Sequence, residues 1–301
     1  MKKLSDLLKE QSIVLLDSAM GTELTSRGAD TSLSLWSARA LIDAPDVVKQ
    51  IHLDNIISGA DIITTNTFRT QRRTFEKANF NYKELDFAET ARELTNIAVD
   101  IAEDARMESD KDVLIAGCIA PLEDCYHPEL VPDTDTLCTE HDEHINNLID
   151  AGVDILWAET MGTVREISAV VNQLHKTDKE YCISMLCRND KELYSGELIK
   201  DAVSIIEKFS PVAILINCIH PSSVEKIILE LKKMTEKPLG VYANIGDPDR
   251  KKSREFVKTV SPEEYFEHAK HWYSLGVKII GGCCGTTPDY IKKISILKYK
   301  K

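Results

Sequence analysis

The sequence has no run of about 20 apolar residues, the length a membrane-spanning helix requires, so a membrane is not expected as a partner. Excess positive charge is also missing: 37 Lys and Arg stand against 49 Asp and Glu, a formal charge of −12. A protein that grips a nucleic-acid duplex needs a basic face, so nucleic acid is not expected either. No glycine-rich phosphate loop or dinucleotide fingerprint occurs, which argues against kinases and dehydrogenases. Low-complexity tracts and linker-like stretches are lacking, so residues 1–301 read as a single domain. What is present is an ordinary globular composition, 43% hydrophobic and 29% charged, which excludes disorder as the main state. The first residues, Met1-Lys2-Lys3-Leu4-Ser5-Asp6, turn polar too early for a signal peptide, and a cytoplasmic location is expected. In that reducing compartment the 8 cysteines are thiols or metal ligands, not a disulfide framework.

Short apolar runs recur at 13–17, 61–66, 113–118, 153–159, 181–187, 212–218, 239–244 and 277–283. Runs such as Val212-Ala213-Ile214-Leu215-Ile216 are continuously apolar, as expected of parallel strands covered on both faces. The stretches between them carry helix punctuation: Ser261-Pro262-Glu263-Glu264 is a capping box, and Thr287-Pro288-Asp289 opens the last helix in the same manner. Eight strand-helix alternations predict an α/β fold, a (β/α)8 TIM barrel, with an open doubly wound sheet as the alternative. Two connections, 18–45 and 119–139, are too long for plain turns. On a barrel such loops rise at the C-terminal face, where active sites are built.

The residues that end the strands then share one mouth: Asp17, Asn66, Cys118, Glu159, Cys187, Cys218, Asn244 and the pair Cys283-Cys284. Cys218 and Cys283-Cys284 bring three thiols from distant segments to the same end. Neighbouring residues on a regular strand face opposite ways, but Gly281, Gly282 and Gly285 allow the chain to bend and aim both sulfurs inward. Three thiolates around zinc leave a fourth position for water or substrate, the arrangement of a catalytic site. The alternative is that Cys218 is a small buried hydrophobe and the cysteine pair carries no role.

Glu159 closes an apolar run, an unfavourable place for an ionised carboxylate unless it meets a cation. Asp17 closes the first run similarly, before the small-residue turn Ser18-Ala19-Met20-Gly21, whose amides can face a ligand. Two carboxylates beside open amides suit an amino acid, the ammonium on Asp17 and Glu159 and the carboxylate on the turn. A structural hydrogen bond or helix cap is the competing reading for each. His141 and His144, like His268 and His271, are spaced i,i+3 among charges and read as solvated helix faces. Cys125, Cys138 and Cys182 lack a convergent partner, Cys118 and Cys187 read as buried thiols, and Trp36 reads as packing inside its own loop.

The segments Leu16-Asp17-Ser18-Ala19-Met20-Gly21-Thr22-Glu23-Leu24, Leu35-Trp36-Ser37-Ala38, Glu159-Thr160 with Glu166, Asn217-Cys218 and Gly281-Gly282-Cys283-Cys284-Gly285-Thr286-Thr287-Pro288 together resemble the homocysteine S-methyltransferase family. The resemblance spans nearly the whole chain. It implies a homocysteine-binding barrel over residues 1–301 that contains zinc and moves a methyl group onto the sulfur of homocysteine, forming methionine. By position, Cys218, Cys283 and Cys284 match the zinc ligands, and Asp17 and Glu159 match residues that hold homocysteine. The turn formed by Ser18, Ala19, Met20 and Gly21 lies where the substrate carboxylate is expected, and Asn66 and Asn244 complete the substrate-facing set. No separate protein nucleophile is implied, because the attacking group is the substrate's own zinc-bound thiolate.

The departures concern the methyl donor. Members that use S-methylmethionine tend to end the second strand Ser-Tyr-Gln-Ala, whereas this chain reads Thr65-Asn66-Thr67-Phe68-Arg69-Thr70-Gln71, more like the homocysteine module of cobalamin-dependent methionine synthase. Its 301 residues leave no room for that enzyme's folate and cobalamin modules. Asp247 stands where many S-methylmethionine users carry Glu. The leading expectation is a sulfonium donor, S-methylmethionine or S-adenosylmethionine. The alternatives are a methyl-corrinoid protein donor or another small-thiol acceptor, and, outside enzymes, a barrel with a closed zinc site in which His220 is the fourth ligand.

Overall fold

The computed structural model describes residues 2–31, 35–246 and 259–299. Eight parallel strands form one sheet: β1 (Val14–Leu15), β2 (Ile62–Thr64), β3 (Leu114–Ile119), β4 (Ile155–Met161), β5 (Tyr181–Met185), β6 (Ala213–Asn217), β7 (Leu239–Ala243) and β8 (Ile279–Gly282). Their order is β1-β8-β7-β6-β5-β4-β3-β2, and a bridge between Leu16 and Ile62 joins the two ends. The ring is that of a (β/α)8 barrel, and each expected strand is present. The open doubly wound sheet is ruled out because its two ends would not pair.

The continuous apolar runs follow from this closure. In β6, Ala213 and Leu215 pack into the barrel interior with Val14, Trp157 and Ile279, while Ile214 and Ile216 pack outward against the helix layer. Both faces of the strand are dry, so alternation with polar residues would leave polar groups without water. Each strand is followed by a helix, the last three being Pro221–Leu231, Pro262–Ser274 and Pro288–Ile294. Proline occupies the first turn of all three, where its missing N–H costs nothing. Ser261 and Glu264 form the expected reciprocal cap, whereas Thr287 makes no side-chain cap bond.

A helix that the periodicity did not reveal, Leu4–Glu10, precedes β1. Its Leu4 and Leu7 join the barrel-interior cluster, and the Ser5 amide donates to Glu180 ahead of β5 at 3.2 Å. The barrel is thus plugged at the end opposite the strand C-termini, leaving one open mouth. Two long connections rim that mouth. The first carries the helix Met20–Ser26 and the 3-10 turn Trp36–Arg39; the third is shorter than expected, since its helix begins at Thr134. Among the described residues no helix is long and apolar enough to cross a membrane.

One reading of the helix faces is overturned. His141 and His144 are buried on Thr134–Asp150 together with Leu137, Ile145 and Leu148. Those five positions form a helical stripe, a pattern masked in sequence by the charges that interleave it. His141 Nε2 pairs with Glu166 at 3.1 Å and His144 Nε2 meets the Cys118 carbonyl at 3.2 Å. His271 is exposed as expected, while His268 is half-buried and stacked on Trp272.

Candidate active site

A cavity of about 330 Å³ opens at the strand C-termini. On one side lie three sulfurs. Cys283 and Cys284 sit in the turn after β8, not on the strand, which removes the alternation that would separate them. Gly285 takes the left-handed φ of +84° that this turn needs. Gly282 serves through its smallness, because a Cβ there would lie 2.3 Å from Thr286 Oγ1. That hydroxyl donates to the Cys283 carbonyl at 2.7 Å and accepts from the Ala19 amide at 3.2 Å, tying the turn after β8 to the loop after β1.

Cys218 follows β6 with φ +55°, a conformation that non-glycine residues seldom adopt. Its Sγ lies 2.7 Å from Cys283 Sγ, and the three Sγ atoms of Cys218, Cys283 and Cys284 all fall within 4.8 Å of one another. Contact with Cys283 and Cys284 pushes the Cys218 thiol well above its ordinary value. Among the described residues this is the one His/Cys/Asp/Glu cluster with metal-ligand spacing. His220 stays outside it: the residue is exposed, and its Nδ1 caps the following helix at Ser222.

Asp17 and Glu159 line the same cavity. Asp17 accepts from the Thr64 amide at 2.7 Å and from Thr64 Oγ1 at 3.1 Å. Burial, partly offset by those bonds, pushes its carboxyl up to about 8. Burial likewise lifts Glu159 to about 7, opposed by bonds from Cys118 and Tyr242. The Cys118 Sγ lies 2.7 Å from Glu159 Oε1, and burial followed by the nearby Glu159 charge keeps that thiol protonated. Both carboxyls therefore sit near neutrality until a cation reaches them.

The turn after β1 is less open than the sequence suggested. The Ser18 amide donates to Asn55 Oδ1 at 2.9 Å, and the Ala19 amide is taken by Thr286. Met20 and Gly21 begin a helix whose N-cap, Ala19, offers no side-chain bond. Ser18, Ala19, Met20, Gly21 and Asn66 all line the cavity; Asn244 does not, and is buried beside it with neither amide atom partnered. Ser18 Oγ, Ser37 Oγ and Asn66 Oδ1 are also buried without partners, while Asn66 Nδ2 is held by the Ser37 carbonyl at 2.8 Å. Asp247 lies outside the described residues.

Sequence reasoning missed several contributors. Trp36 does not stay within its loop: it lines the cavity and meets the Phe68 ring edge-on at 5.5 Å. Asp124, Cys125 and Tyr126 enter from the loop after β3, so Cys125 belongs to the cavity although not to the three-sulfur cluster. Glu166 accepts from the Leu122 amide at 2.9 Å, which fixes that loop to the barrel. The loop's length was the available signal. Cys138 packs away from the mouth against Leu122, Val131 and Leu137, Cys182 is sealed in the barrel interior, and Cys187 is buried beyond the cavity lining.

The homocysteine S-methyltransferase family model matches residues 14–297. The chain is 32% identical to the homocysteine S-methyltransferase YbgG of Bacillus subtilis, over 98% of this chain and 97% of that protein. It is 30% identical to a selenocysteine methyltransferase of Astragalus bisulcatus, over 91% and 89% of the two chains. Its fold superposes on the metallated form of the homocysteine methyltransferase MmuM from Escherichia coli with a TM-score of 0.83 at 28% identity, covering 97% of this chain and 98% of the other. By family match, relatives and fold together, the chain belongs to the homocysteine S-methyltransferase family of enzymes.

Proposed function

We propose that this chain transfers a methyl group from a free sulfonium donor, S-methylmethionine or S-adenosylmethionine, to the thiol of L-homocysteine, with zinc held by Cys218, Cys283 and Cys284. The observation that carries this reading is the convergence of three thiols, the buried Asp17 carboxyl and the half-buried Glu159 carboxyl on one cavity. The donor set fits the ion in kind and placing. Thiolates ~2.3 Å from a tetrahedral zinc stand ~3.8 Å apart; the three sulfurs lie within 4.8 Å, and the Cys218–Cys283 pair, at 2.7 Å, would open by about 1 Å around the ion. Crowding that resists ionisation of Cys218 is relieved by a cation at this point.

Zinc bound there supplies the positive charge that keeps the acceptor thiol deprotonated at neutral pH. The chain's own residues do the rest. Asp17 and Glu159 take the substrate ammonium, ionising as it arrives, while Cys118 and Tyr242 hold Glu159 in place. With the Ser18 and Ala19 amides engaged elsewhere, the substrate carboxylate falls to the uncapped start of the helix Met20–Ser26. The Trp36 ring, packed edge-on with Phe68 in the cavity lining, suits the cationic sulfur of the donor, while Phe68 already stacks with the Arg69 guanidinium at 5.0 Å. A cytoplasmic enzyme acting on small molecules is the setting this implies.

Zinc X-ray absorption on anaerobic protein, with and without L-homocysteine, tests the acceptor half. A rise from three sulfur ligands to four supports it, and no change in fully loaded protein refutes it. A donor panel tests the other half. The sequence at the end of β2, Asn66-Thr67-Phe68, favours a methyl-corrinoid donor as the second reading. Methionine formed from a methyl-corrinoid and from neither sulfonium would replace the first reading by the second.

A further inference from the structure

Between the thiol cluster and the carboxyls lies one side-chain amide whose bonding is complete. Asn217, the last residue of β6, is fully buried, and an asparagine amide offers two donors and two acceptor positions. Its Oδ1 accepts from the Thr160 amide at 3.0 Å and from Ser184 Oγ at 2.7 Å. Its Nδ2 donates to Thr160 Oγ1 at 2.9 Å and to Cys218 Sγ at 3.4 Å. The orientation is fixed, because the Thr160 amide can only donate and so must face the oxygen.

Two of the three neighbours bonded by this amide are backbone outliers. Thr160 has φ +63° and Cys218 has φ +55°. The left-handed region is unfavourable for a β-branched residue in particular, and persists where surrounding bonds over-determine it. Thr160 also lies where the β4–β5 register shifts, between Ala158 and Met161, and the same irregularity contains Glu159. Such a bulge re-aims a side chain, here the carboxylate that faces the cavity. One amide thus braces the backbone that aims Glu159 and holds the Cys218 sulfur itself.

We infer that Asn217 is a positioning residue that sets Cys218 and Glu159 together, so that metal retention and homocysteine binding are coupled through its side chain. The inference rests on the proposed zinc site at Cys218, Cys283 and Cys284. None of the four hydrogen bonds of this amide reaches Cys283, Cys284 or Asp17. Asn217→Ala removes the brace from both sides. Asn217→Asp is close in shape and keeps acceptors for the Thr160 amide and Ser184; it withdraws the Nδ2 donor from Thr160 Oγ1, whose hydroxyl can donate back to the new oxygen, and from Cys218 Sγ, which gains no replacement.

The test measures zinc by chelator competition, the thiolate-to-metal charge-transfer band of cobalt-substituted protein, and KM for L-homocysteine separately from kcat. Loss of an outer-shell partner typically costs 10- to 100-fold in metal affinity, and roughly that loss is expected in both variants, with a weakened cobalt band. KM is expected to rise about 10-fold in Asn217→Ala and to stay near wild type in Asn217→Asp, because only the former frees the bulge that aims Glu159. Wild-type metal affinity in either folded variant overturns the inference, as does a metal loss in Asn217→Ala without a rise in KM. If Asn217→Ala does not fold, chelator competition on Asn217→Asp decides alone. Wild-type protein that takes up neither zinc nor cobalt is a different failure, that of the zinc site itself.

Discussion

Replacing Asp17 by Asn separates what this carboxyl does for the substrate from what it does to the fold. Asn presents nearly the same shape, keeps an acceptor for the Thr64 amide, and can donate to Thr64 Oγ1, so the local bonds survive. What disappears is a buried ionisable group that the fold has raised from an ordinary 3.8 to about 8. A carboxyl raised in this way contributes stability that is complete below its unfolded pKa and is lost as pH climbs through the folded value. At ~1.4 kcal/mol per pKa unit, wild type forfeits on the order of 2 kcal/mol at pH 5, 4 at pH 7 and 6 at pH 9, relative to a permanently neutral Asp17. Asn never titrates, so the variant escapes the loss. For a chain of 301 residues unfolding with roughly 2 cal/mol/K per residue, the gain at pH 7 corresponds to a Tm rise of about 6 °C.

The same substitution removes the partner proposed for the substrate ammonium, and where that carboxyl is ionised a loss of about 3–5 kcal/mol, or at least about 100-fold in affinity, is expected. Thermal unfolding of metal-free wild type and Asp17→Asn from pH 5 to 9, beside homocysteine titration calorimetry, checks both halves. The stability gap must widen with pH up to about 8 and then level, while the loss of homocysteine affinity is largest near and above pH 8 and shrinks toward pH 5, where wild-type Asp17 is itself protonated. A variant less stable than wild type at pH 8, or a gap independent of pH, would refute the claim that burial holds Asp17 near neutrality.

Two further outcomes follow from named contacts. Gly282→Ala forces a Cβ against Thr286 and pushes on the turn that carries Cys283 and Cys284; a loss of about 1–3 kcal/mol in stability with weakened zinc retention is expected, read by thermal unfolding and chelator competition. Cys118→Ala strips a donor from Glu159 and is expected to lower kcat/KM for homocysteine by roughly 10-fold, the kinetic equivalent of a lost hydrogen bond of about 1.4 kcal/mol. Cys118→Ser, which keeps a donor, is expected to stay within a few-fold of wild type; equal losses in the two variants would show that size rather than donation matters there.

The barrel was legible in the chain because a strand covered on both faces must be apolar throughout, and runs such as 212–216 record that requirement directly. Most residues that end those runs were legible for the same reason, since polar or thiol groups placed where the dry layer stops point to the mouth, but Cys187 and Asn244 end runs and stay out of the cavity lining. The helix Leu4–Glu10 was not, since seven residues with two buried leucines carry too little periodicity to stand out. His141 and His144 were misread because the charges between them conceal a stripe that appears only once the helix is packed.

Composition, periodicity and strand-end identity were therefore enough to determine the ring, the mouth and part of its lining, Asp17, Asn66, Cys118, Glu159, Cys218, Cys283 and Cys284. Only the tertiary structure decided how those residues are held. Asn217 bonds across three strands, Thr286 joins the loop after β1 to the turn after β8, and Trp36 crosses from its own loop to Phe68. Each contact links segments far apart in the chain, so it depends on closure of the barrel, and no local pattern of residues encodes a distance that exists only after closure.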